Sequence, residues 1–122
     1  MRFTQDSSGE AHRIRGYADG EFHVDEQRIR GGLLVSATEL LLAPELRLPE
    51  DIGPVHIERI LAWQPELVLL GTGLVQRFPA ASLAARFWAH GIGFEVMDSG
   101  AACRTFNVLM AERRRAVAAL LP

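Results

Sequence analysis

Leu67 to Leu70 form an unbroken apolar run, the pattern of a strand covered on both faces, and helical periodicity stands on either side of it. Ahead of the run, Pro54 suits the first position of a helix in which Ile57, Ile60 and Leu61 share one face. Gln64-Pro65 stops that helix, because the residue before proline avoids the α region. After the run, PAASLAARFWAH (79–90) predicts a second helix with Leu83, Ala84, Phe87 and Trp88 as its buried arc. Gly91-Ile92-Gly93 ends it and FEVM (94–97) reads as another strand. A third helix is expected over 100–114, with Ala102, Phe106, Leu109 and Met110 inward, and AVAALL (116–121) closes the chain as a strand.

The first half carries a different pattern. HRIRGY (12–17) and EFHV (21–24) flank Ala18-Asp19-Gly20, and Asp-Gly is a strong hairpin signal. RIRGGLLVSA (28–37) supplies one or two more strands with a bend at Gly31-Gly32. Most of 40–54, with its three prolines, reads as loop. Residues 1–10 have no pattern and are expected to be disordered. Residues 11–122 are expected to form a single α/β domain, its N-terminal β-meander packed on or extending the sheet.

Composition narrows the chemistry. At 48% hydrophobic and 23% charged residues, the chain has the balance of a soluble globular protein. A net charge of −2 gives no reason to expect nucleic acid as a partner. All 13 basic residues are arginine, which removes Schiff-base and P-loop lysines together. One cysteine excludes an internal disulfide, and with no apolar N-terminal core or ~20-residue apolar span the expected location is the cytoplasm, any membrane contact being peripheral.

The loop Gly71-Thr72-Gly73 follows the predicted buried strand, which is where open α/β sheets bind ligands. Its residues fit a turn better than a phosphate cradle. The third glycine of a dinucleotide fingerprint is replaced by Gln76, and five residues separate the loop from Pro79, where the helix is expected to start. Ser82, Ser99 and Cys103 are the candidate nucleophiles, but no G-x-S-x-G is present, and Cys103 falls on the apolar side of its helix as a packed thiol. The histidines, 12, 23, 56 and 90, lack ligand spacing and are expected at the surface or rim. No catalytic residue, metal or cofactor is expected. Asp98 or Ser99 suits the cap of the third helix, and Arg104, Asn107 and Val108 are expected opposite its core face.

PELVLLGTG (65–73), IRGYADGEFHV (14–24) and GIGFEVMDSGAACRTFNVLMAERRRAVAALL (91–121) together resemble a family of small proteins. Mitochondrial complex I assembly factor 3, the adipogenesis-associated domain protein and many uncharacterised bacterial proteins share this domain. The similarity runs from Ile14 to Leu121 and is most specific at Arg104-Thr105-Phe106-Asn107. It implies a single three-layer α/β domain around a mixed sheet. It also implies a non-enzymatic binding partner, possible links to respiratory-complex assembly, and recurrent positions at Gly71, Thr72, Gly73, Asp98, Ala102, Arg104, Thr105 and Asn107. With Arg77 and Val108 these residues (Ala102 aside) make the expected binding rim, whose occupant is expected to be another protein. The alternative is a small-molecule-binding protein or enzyme, its small-molecule or anion ligand in a crevice at the Gly71–Gly73 loop and the start of the third helix.

Overall fold

The computed structural model describes residues 10–122, so the expectation of disorder for residues 1–9 lies outside the described residues. Three antiparallel strands open the fold: β1 (Ile14–Ala18), β2 (Glu21–Val24) and β3 (Gln27–Arg30). Asp19 and Gly20 take φ of 54° and 74°, the left-handed pair that a tight two-residue hairpin turn requires. A register shift between Ile14 and Gly16 marks a bulge in β1, which returns Tyr17 to the side that Ile14 faces.

A second sheet holds β4 (Leu33–Val35), β5 (Leu40–Leu42), β6 (Leu67–Thr72), β7 (Gly93–Met97) and β8 (Ala116–Leu121). Their order is β5-β4-β8-β6-β7. β8, β6 and β7 run parallel, whereas β4 is antiparallel to both β8 and β5, so the sheet is mixed. A 3₁₀ turn at Pro49–Asp51 leads into α1 (Pro54–Ala62); α2 (Ala81–Trp88) joins β6 to β7, and α3 (Ser99–Ala111) joins β7 to β8.

Side-chain alternation divides the interior into two cores. Leu34, Val68, Leu70, Val117, Ala119 and Leu121 pack with Ile57 and Ile60 of α1 and Leu83 and Phe87 of α2. On the opposite face, Leu33, Val35, Leu69, Ala118 and Leu120 meet Ala102, Cys103, Phe106 and Leu109 of α3, together with Ile14, Phe22, Val24 and Ile29 of the first sheet. The result is three layers: two helices, the mixed sheet, then α3 with the meander. The meander is packed on the mixed sheet's layer as a separate sheet and does not extend it.

Three local expectations change. Leu40–Leu42 is a strand at the sheet edge, too short to stand out beside Pro44 and Pro49. Trp88 is 61% exposed, because Leu83 and Phe87 already cover the sheet and the helix ends there. His56 is buried: its Nδ1 accepts the Gly53 N–H (3.0 Å) and its Nε2 lies 2.7 Å from Glu45, closing the start of α1.

Candidate functional site

Parallel β6 and β7 end beside the first turn of α3, so their connections gather most of the predicted rim residues at one place. Gly71 faces the helix there. A Cβ on it would stand 3.0 Å from Ala102 Cβ, Ser99 Cα and Leu120 Cδ2, so glycine is what allows α3 to seat on the sheet. Gly73 has φ of 92°, and a Cβ on it would meet the Pro122 carbonyl oxygen at 2.9 Å.

The polar groups of this corner are joined to one another. Ser99 is fully buried; its hydroxyl accepts the Gly73 N–H (2.8 Å) and donates to the Leu121 carbonyl (2.6 Å). The Ser99 N–H in turn donates to the Gly73 carbonyl at 2.8 Å. The Thr72 hydroxyl donates to Val75 O (2.7 Å) and accepts the Arg77 N–H (3.0 Å). Asp98 is the cap of α3, accepting the Ala101 N–H at 2.9 Å. The loop therefore offers a ligand neither the Gly73 N–H nor the Thr72 and Ser99 hydroxyl protons. Leu74 and Phe78 are 81% and 76% exposed and so do not fill the corner.

The other rim residues divide. Arg104 and Asn107 lie along a cleft of about 350 Å³ between α3 and β1. Asn107 is not on an open face: its Oδ1 accepts the Ile14 N–H (2.9 Å) and its Nδ2 donates to the Ile14 carbonyl (2.8 Å). Thr105 is half-buried, and Val108 is 56% exposed. Arg13, Arg15 and Tyr17, which complete the cleft, were missed by sequence reasoning. The one available signal was the alternation of arginine around Ile14 in a predicted strand. Cys103 forms part of the floor; burial pushes its thiol up to about 12, so at neutral pH it is a protonated, inert wall.

Residues 14–121 match the model of a family described as "Protein of unknown function (DUF498/DUF598)". The chain belongs to this family. A Francisella tularensis relative called "13 kDa major membrane protein" is 30% identical over 102 residues, 83% of each chain. Danio rerio NADH dehydrogenase [ubiquinone] 1 alpha subcomplex assembly factor 3 is 41% identical over 63 residues, 52% of this chain and 36% of that protein. Among solved structures, a Bordetella parapertussis protein superposes with a TM-score of 0.83 at 32% identity, covering 93% of this chain and 97% of its own. A Bordetella pertussis protein described as an Mth938-like domain gives 0.78 at 27% identity, covering 100% and 92%. Among the described residues no helix is long and apolar enough to cross a membrane.

Proposed function

We propose that this protein is a non-enzymatic interaction protein of the assembly-factor kind, working in the cytoplasm and meeting a membrane complex peripherally through a protein partner. The observation that carries the reading is the connection between β6 and α2. Leu74, Val75 and Phe78 are 81%, 60% and 76% exposed, three large apolar side chains within five residues. Such a cluster is unusual on a surface with no partner. The backbone beneath them is fixed by the Thr72 hydroxyl bonds and by Gln76 Nε2, which donates to the Val96 carbonyl at 3.0 Å. A rigid apolar loop loses little freedom on docking, which favours its use as an anchor.

Phe78 also borders a second cleft, of about 360 Å³, walled by Pro49, Ile52, Pro54, Ile57 and Leu83, with Arg86 at its edge. With Glu50 also lining it, the cleft has an apolar centre and charged groups of both signs, the composition of a protein-binding surface. Of the predicted rim residues, Arg77 belongs to this loop; Arg104 and Val108, on α3, offer a second exposed contact. The name of the Danio rerio relative supports a link to assembly of a respiratory NADH dehydrogenase.

Deleting the gene from its own host and complementing it tests both parts. Wild type is expected to restore the assembled NADH dehydrogenase measured on native gels, and Phe78→Asp to fail while remaining folded. Restoration by Phe78→Asp overturns the loop as anchor. Normal assembly in the deletion strain overturns the respiratory link.

A further inference from the structure

The cleft between β1 and the first half of α3 has a composition that neither the fold nor the docking loop explains. Arg15 reaches it from β1, Arg13 from the residue just ahead of that strand, and Arg104 from α3. Among the described residues Arg13 and Arg104 make no ion pair. Arg15 is held loosely, its Nε donating to the Asp25 carbonyl at 3.1 Å while its Nη2 stands 3.7 Å from Glu26, a side chain 90% exposed.

Arg104 folds back along its own helix: its Nη1 lies 3.5 Å from where a Cβ on Gly100 would stand. A guanidinium over the first turn adds to the partial positive charge of a helix N-terminus, the end where cations are disfavoured. Asp98 is the nearby opposing carboxylate, and it already accepts the Ala101 N–H. Its Oδ1 stands 3.4 Å from the same point over Gly100, so one carboxylate faces the three guanidinium groups of the cleft.

Tyr17 supplies an independent observation. Its hydroxyl oxygen is buried with no hydrogen-bond partner among the described residues, although the ring is fixed by stacking on Phe22 at 4.7 Å. Buried polar groups are nearly always paired, and an orphan on a cleft wall marks the place of a missing partner. Burial, and then the neighbouring Cys103 and Asp98, raise the phenol above its ordinary value, so it remains a donor.

We propose that this cleft binds a phosphate monoester, held by Arg13 and Arg15 from one side, Arg104 from the other and the Tyr17 hydroxyl from the wall. Phosphate suits the arrangement better than carboxylate. One guanidinium fork can take both oxygens of a carboxylate, whereas donors converging from two separate elements require the three acceptor oxygens of a phosphate monoester. A volume of about 350 Å³ admits the phosphate and a small substituent. The ester is carried either by a soluble metabolite or by the headgroup of an acidic lipid.

Calorimetric titration with glycerol 3-phosphate, and co-sedimentation with phosphatidylcholine vesicles with or without phosphatidic acid, test the site and separate the two sources. Saturable binding is expected in at least one arm. Arg104→Ala and Arg13→Ala are each expected to weaken it about tenfold, as loss of a charge-assisted hydrogen bond does. Tyr17→Phe is expected to weaken it about threefold without lowering the melting temperature of the ligand-free protein, since the hydroxyl has no partner to lose. Binding of glycerol 3-phosphate alone assigns a soluble ligand; binding confined to phosphatidic acid vesicles assigns the lipid headgroup. No saturable binding below about 10 mM in either arm, or affinity unchanged in both arginine variants, overturns the proposal. These substitutions leave the Leu74–Phe78 loop intact, so the failure of this site and the failure of the docking loop are read separately.

Discussion

Gly71 and Ser99 are small residues at a point where backbone approaches backbone, and each has a measurable consequence. Gly71→Ala places a methyl group 3.0 Å from two atoms of α3 and one of β8. Neither rigid partner can move cheaply, so a loss of about 1–3 kcal/mol is expected in urea unfolding, the usual cost of overpacking. Ser99→Ala leaves the Gly73 N–H and the Leu121 carbonyl without the hydroxyl that bridges them, and a loss of about 1–3 kcal/mol is expected by the same measurement. Gly73 is the turn residue that the incomplete phosphate fingerprint suggested, whereas Gly71 and Thr72, expected in the loop, continue β6 and pair with β7 and β8. The part played by Ser99 was not legible, since its partners are 26 and 22 residues away along the chain and nothing local specifies them. Arg104 was singled out, but its companions at the start of β1, Arg13 and Arg15, were missed because a sequence does not say which strand faces which helix.

α3 is the element whose surroundings sequence periodicity describes least well. It packs on the mixed sheet on one side and against β1 on another, so its polar stripe is not simply a solvated face. Asn107 marks the difference, making both hydrogen bonds to the Ile14 backbone and pinning the meander to the helix. Asn107→Ala is expected to raise amide exchange across Ile14–Arg30, while β6 and β8 keep their protection. Uniform loss of protection in both sheets would show that this clamp is not local. The pattern was legible where it is simple, as in α1 with its one buried face and in β6 and β8, apolar throughout because both faces are covered.

Element junctions also set the response to acid. Glu66 lies below its ordinary value of 4.5 because it accepts the Arg115 N–H and then the Arg114 guanidinium, joining the connection between α3 and β8 to the start of β6. Glu45 is lowered through its hydrogen bond to His56, and Asp51 through the Leu48 and Arg47 N–H groups. For each carboxyl the folded state holds the proton less tightly than the unfolded chain. The stability they contribute is therefore complete above the ordinary carboxylate range and is lost as pH falls through the lowered folded values. Melting temperature is expected to fall below pH 4.5, and Glu66→Gln to flatten that decline. An identical acid profile in Glu66→Gln would remove Glu66 from the account.

Across the whole molecule, Cys103 joins the layers, because its thiol lies in the core that contains Ile14 and Phe22 of the meander and Leu69 and Leu120 of the mixed sheet. The alternation of elements in the second half made the layered fold legible. The placement of β8 at the centre of the sheet, and of the meander as a separate sheet, comes from long-range pairing that local patterns do not encode. Continuity of apolar packing through Cys103 predicts that the meander and the mixed sheet unfold together. The residue supplies its own probe, being the sole cysteine, 5% exposed, with its thiol raised to about 12. At pH 8 a thiol reagent is expected to label it only through global opening, with the urea dependence of equilibrium unfolding. In Asn107→Ala the labelling is expected to accelerate and lose much of that dependence, because the meander then lifts from α3 without the sheet opening. A shallow urea dependence already in the wild type would instead make the meander an independently opening layer, with the cleft between β1 and α3 at its moving boundary.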